Sequence, residues 1–134
     1  MKISKNLRKI IDSKSPIRSL LSEFECSSLK LYTGPRPKSP DLPQTGQLVV
    51  DFGLVRFKRS KGFLLNSEAL HGTTVSSDPV CWFRLQGRAS ALDGSISVNG
   101  YGRQADLILS CQPVIGETMA VDIFSIDLRA LDYD

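Results

Sequence analysis

The sequence predicts a mainly β protein: an antiparallel, jelly-roll-like β-sandwich with a short helical leader at its N-terminus. Three observations predict it. Beyond residue 26, apolar and polar residues alternate through several short runs, the period of strands half-buried in a sheet. Turn-forming residues punctuate those runs roughly every 8–12 residues, the spacing of sandwiches and barrels. No helix-length segment lies between the runs, which argues against a parallel sheet with crossover helices. At 134 residues and 41% hydrophobic, the chain suits one domain: a leader over 1–26 and a β-sandwich over 27–134.

The leader reads as two short helices covering residues 3–25. Ile3, Leu7, Ile10 and Ile11 mark one apolar stripe, and Ile17, Leu20, Leu21 and Phe24 a second. Ser15 is placed to cap the second helix, with Pro16 as its first residue. Both stripes need a surface to lie on, either the sheet of the same subunit or a neighbouring subunit.

Strands are expected at Ser28–Thr33, Gln47–Phe52, Leu54–Lys58, Phe63–Leu65, Val80–Leu85, Ser95–Val98, Ala105–Cys111 and Met119–Leu128. Val80–Leu85 (VCWFRL) is the most apolar and reads as central. Asp93-Gly94 is a hairpin signal between ALDG and SISV, because a type I′ turn needs positive φ at both central residues. Asn99-Gly100 is a second site of that type. Trp82, Leu85, Leu107, Leu109, Ile123 and Ile126 are expected in the core. The odd segment is Thr33–Gly46 (TGPRPKSPDLPQTG), which carries four prolines and no hydrophobic period. Proline fixes φ near −65° and removes a donor, so this is a stiff arm that cannot join a sheet at its prolines. It reads either as a rigid connection or as a preorganised interface.

Charge is distributed unevenly. Residues 1–18 carry Lys2, Lys5, Arg8, Lys9, Lys14 and Arg18 against Asp12, a net +5, while the rest of the chain is at −2. This basic leader is a solvated helix face or a docking element for an acidic protein surface. The near absence of aromatics among these cations argues against nucleic acid. No apolar run approaches the roughly 20 residues that span a bilayer, and no apolar stretch with a cleavage site follows the basic start, so neither a membrane segment nor a signal peptide is expected.

Catalytic and metal motifs are not found: no phosphate loop, no nucleophile elbow, no HExxH and no calcium loop. The chain has one histidine, His71, which reads as a loop residue beside Gly72. Its three cysteines, Cys26, Cys81 and Cys111, fit no zinc or disulfide pattern and read as free, buried small hydrophobes. A non-enzyme with no cofactor and no metal is therefore expected.

Several segments, in order, carry a resemblance. They are Ile3-Ser4-Lys5-Asn6-Leu7-Arg8; Leu29 to Leu48 (LKLYTGPRPKSPDLPQTGQL); Trp82-Phe83-Arg84; Leu92-Asp93-Gly94-Ser95; Ala105-Asp106-Leu107-Ile108-Leu109; and Val121 to Leu128. The set resembles small structural proteins of tailed bacteriophages, head-decoration or cement-like proteins among them. The chain departs from the pattern between Phe52 and Pro79, where it has a compact basic piece with Arg56, Lys58, Arg59 and Lys61 instead of a longer stretch of small residues. The resemblance implies a virion protein, assembled in the host cytoplasm, that binds the major capsid protein or other virion proteins as a homo-oligomer. The surface expected to carry such binding combines the leader (Lys2, Lys5, Arg8, Lys9) with the arm (Gly34, Pro35, Arg36, Pro37, Pro40, Asp41, Gly46). Other readings are a tail, neck or fibre-base adaptor, and a host- or glycan-binding jelly roll using Tyr101 and Tyr133 as platforms.

Overall fold

The computed structural model describes residues 1–13, 16–60, 62–98 and 105–127. Strand takes 45% of the chain and helix 12%, so the protein is mainly β, with antiparallel sheets and two short helices. The elements run β1 (Lys2–Ile3), α1 (Lys5–Ile11), α2 (Pro16–Phe24), β2 (Ser27–Tyr32), β3 (Leu48–Val55), β4 (Phe57–Ser60), β5 (Phe63–Asn66), β6 (Leu70–Thr74), β7 (Trp82–Gln86), β8 (Ala91–Val98), β9 (Leu107–Leu109), β10 (Thr118–Val121) and β11 (Ser125–Asp127). The large sheet is ordered β1-β8-β7-β2-β3-β6-β10 and the small one β11-β5-β4. One pairing departs from the antiparallel rule: β9 lies parallel to β8, Ile96 opposite Leu107.

The two faces of the large sheet differ because side chains alternate along each strand. On the inner face, Val50, Leu31, Phe83 and Gly94 form one cross-strand row, and Leu29, Leu85, Leu92 and Ile3 another. Leu64, Phe124 and Ile126, from the small sheet and its approach, share one core with those rows and with Leu7, Leu20 and Phe24 of the helices. The leader thus lies on its own sheet. It is not helical throughout, however. Lys2 and Ile3 pair with Asp93 and Leu92 as an edge strand, and the helix starts only after Ser4. Ser4 caps α1 by accepting from Leu7 N–H, and its Oγ also accepts from Ala91 N–H, which ties the cap to β8. The expected cap at Ser15 falls outside the described residues.

Several sequence expectations are overturned. Asp93-Gly94 is no hairpin turn but the middle of β8. Asp93 is fully buried, and Gly94 is small because the Phe83 ring packs where a Cβ would project. Expected strands 47–52 and 54–58 are instead one long β3 that crosses Gly53 at φ +66 and breaks at Arg56, where the chain passes to the small sheet. The expected 119–128 strand is split for a similar reason. β10 belongs to the large sheet and β11 to the small one, and Asn66 holds the crossing: its Nδ2 donates to Asp122 O and its Oδ1 accepts from Phe124 N–H. Ile123, at that crossing, is 71% exposed rather than core. Trp82, Leu85, Leu107, Leu109 and Ile126 are buried as expected. β7 is interior, between β8 and β2.

His71 is not in a loop but on β6, facing solvent; the weak strand signal of LHGTT hid that element. The cysteines are free, but all three are exposed. Each occupies a junction rather than an inward strand position: Cys26 after α2, Cys81 before β7, Cys111 after β9. Asn99-Gly100, Tyr101 and Tyr133 lie outside the described residues.

Candidate functional site

The Gly34–Gly46 arm is an Ω-loop, a compact excursion whose two ends meet. Gly34 and Gly46 sit at φ +77 and +82, and a Cβ on Gly46 would collide with the Thr33 carbonyl, so only glycine suits that end. Thr33 N–H donates to Gln47 O at 2.9 Å, and Gln47 N–H to Thr33 Oγ1 at 2.8 Å, closing the neck. Inside the loop, Thr45 Oγ1 donates to Pro35 O and Leu42 N–H to Ser39 O. Four prolines with fixed φ and these hydrogen bonds restrict the shapes the loop can take.

Beneath the arm lies the outer face of the large sheet. Tyr32 and Trp82 are opposite one another on β2 and β7 and stack with centroids 4.7 Å apart. Trp82 is 1% exposed, and its Nε1 donates to Thr33 O at 3.1 Å. Two residues along β7, Arg84 lies over the same indole, its Cζ 5.4 Å from the ring centroid. Its guanidinium grips Asp93 with both arms of the fork, Nε to Oδ1 at 2.7 Å and Nη2 to Oδ2 at 2.9 Å. The remaining Nη1 donates to Leu42 O at 2.8 Å. That hydrogen bond to Asp93 is the chief reason the Arg84 proton is held more firmly than usual, against the opposing effect of burial. The arm is thus seated on an aromatic and ionic floor. Pro37 and Pro40 are buried in that seat, whereas Pro35 and residues 41–47 face solvent. Leu42 is 47% exposed at the tip.

The leader meets the arm on the same side. Lys2 Nζ donates to Lys38 O at 3.1 Å, and Asp41 Oδ2 accepts from Lys5 N–H at 3.0 Å. A carboxylate at the first N–H of α1 is favourable, because that end of a helix carries partial positive charge. Lys5 and Lys9 are four residues apart and so share one face of α1; both are exposed, as is Lys38. Lys2, Arg8, Gly34 and Arg36 are half-buried, and Arg36 Nη1 reaches Asp93 O at 3.5 Å.

The structure therefore joins the two halves of the sequence-predicted surface through Lys2–Lys38 and Lys5–Asp41. Missed by sequence reasoning are Trp82, Arg84 and Asp93 as the arm's floor, along with the exposed tip residue Leu42. The sequence shows Trp82 two residues before Arg84, but the turn propensity of Asp93-Gly94 conceals the aspartate as a partner for that arginine.

A cleft of about 490 Å³ opens where β3 and β6 diverge, and Leu54, Arg56, Glu68 and His71 lie on its walls. Among the described residues, no three His, Cys, Asp or Glu side chains come together as a metal site, and no helix is long and apolar enough to cross a membrane. No family model matches the chain, and no curated protein or solved structure is significantly similar to it.

Proposed function

We propose that this chain is a non-enzymatic structural protein of a tailed-bacteriophage virion, a decoration or cement protein that binds the major capsid shell and stabilises it. In this reading the two sheets form a jelly-roll-like sandwich that serves as a rigid support, and the protein acts in many copies as a homo-oligomer. The observation that carries the proposal is the seated arm. It presents Leu42-Pro43-Gln44-Thr45 beside the exposed cations Lys5, Lys9 and Lys38, with its shape already fixed. A preordered loop pays little conformational entropy on contact, which suits a small protein that must hold a shell by an interface of about 1,000 Å² or more. The resemblance of the ordered segments to phage structural proteins points the same way.

Counting copies in the purified particle, and locating them, tests the proposal. The expected result is a high copy number on the head. A few copies on the tail would replace the shell with a tail or neck adaptor role, and absence from the particle would overturn the virion reading.

A further inference from the structure

We propose that copies of this chain associate head to tail, the free edge of β10 in one copy extending the sheet edge of β4 in the next. Among the described residues, β10 pairs only with β6 and β4 only with β5. The hydrogen-bond phase shows which backbone groups are on offer. Ser67 N–H donates to Arg56 O, and bonded pairs alternate along an antiparallel ladder, so Lys58 and Ser60 face β5 while Phe57 and Arg59 direct their backbone groups away from it. Thr74 N–H donates to Glu117 O, so Met119 and Val121 face β6 while Thr118 and Ala120 direct theirs outward. Alongside β4 runs an open groove of about 370 Å³, with Leu21, Ser22 and Glu25 of the α2 end on its far wall. A helix beside an open strand edge is the setting in which an added strand gains both main-chain bonds and side-chain cover.

Charge selects the occupant. β10 has no charged residue of its own but is bounded by exposed Glu117 and Asp122. Two β4 edges repel, because exposed Arg56, Lys58 and Arg59 meet their own kind. β10 against β4 instead sets an acidic flank beside a basic strand. Pairing Phe57 with Ala120 of the partner subunit, and Arg59 with Thr118 of the partner subunit, matches the outward-facing backbone groups. It forms about four main-chain hydrogen bonds. Glu117 of the partner subunit then falls diagonal to Lys58, within reach of its long side chain. A contact between two different edges builds a ring if its rotation closes and a fibre if it does not.

Sedimentation velocity on the full chain, over a range of concentrations, tests this without any virion component, so its failure and that of the shell-binding proposal are separate results. The wild type should grow beyond a dimer, or reach a discrete ring. Glu117→Lys with Asp122→Lys, and Lys58→Glu with Arg59→Glu, should each weaken association at least about tenfold. An equimolar mixture of the two double variants should recover it, because basic β10 then meets acidic β4. Ala120→Pro, which removes an outward N–H and leaves the β6 ladder intact, should abolish growth. A wild type that stays monomeric to about 1 mM overturns the proposal. So does a dimer indifferent to the charge reversals, or a mixture that does not recover.

Discussion

Asp93 has no exposed surface, and its carboxylate is spoken for by the Arg84 fork, while its backbone carbonyl reaches Arg36. Removing one partner of such a pair leaves the other charge buried and uncompensated. Asp93→Ala should therefore cost about 3–5 kcal/mol in denaturant unfolding, and it should also loosen the arm, because Arg84 holds Leu42 as well. Tyr32, on the same floor, makes a pH prediction. Burial, first of all, raises its phenol above the ordinary 10.0; Asp51 and Asp93 add to this and Arg84 opposes it. The native state keeps that proton longer than the unfolded chain does. The Tyr32 contribution is thus fully present below the unfolded value and is lost as pH climbs through the raised one. Stability should fall above about pH 10, and Tyr32→Phe should flatten the fall, as thermal melts across alkaline pH would show. At this scale the sequence was a partial guide. The burial of Trp82 was legible from its apolar strand, but Asp93-Gly94 was not. Its turn propensity is real, and it is overridden because Arg84 pairs with the aspartate and the Phe83 ring occupies the space above the glycine.

The leader and the arm are the elements that decide how the surface can be tested. The apolar stripe of α1 was legible as a helix, and the edge strand before it was not, since two residues carry no periodicity. Leu7 is fully buried in the core, so Leu7→Ala should lose about 2–5 kcal/mol in chemical unfolding. Deleting the leader therefore opens the core, and it cannot report on binding alone. The arm was legible as stiff from its prolines, but its seat was not, because Trp82, Arg84 and Asp93 of the floor lie on strands distant in sequence. Pro37 and Pro40 are part of that seat, whereas Pro35 and Pro43 are exposed. Replacing Pro35 and Pro43 together by Gly should lower stability by about 1–2 kcal/mol through the unfolded state. If the chain binds a shell as proposed, the double substitution should weaken that binding at every salt concentration, because the loop must then be ordered on contact. Calorimetry alongside a binding assay separates the two effects.

At the scale of the molecule, the class of the fold followed from alternation and turn spacing, which are local. The passage of the chain between sheets did not. β3 to β4 and β10 to β11 read as continuous or wrongly divided strands, because the breaks at Arg56 and Asp122 are set by which sheet each half pairs with. On one side of the molecule the basic leader is clasped to the Gly34–Gly46 loop. If that side docks on an acidic shell, its cations supply a long-range attraction that salt screens over about 10 Å at 0.1 M. The loop would then supply a remainder that salt leaves alone. The direct measurement is the binding of the wild type and of a Lys5→Gln, Lys9→Gln variant to emptied phage heads at two ionic strengths. These side chains are exposed, so the variant should keep its fold. The account predicts weaker binding at low salt and a flatter salt dependence for the variant, with the two proteins converging at high salt. Equal binding of the two proteins at both ionic strengths would contradict it and leave the basic leader as a solvated face of the fold.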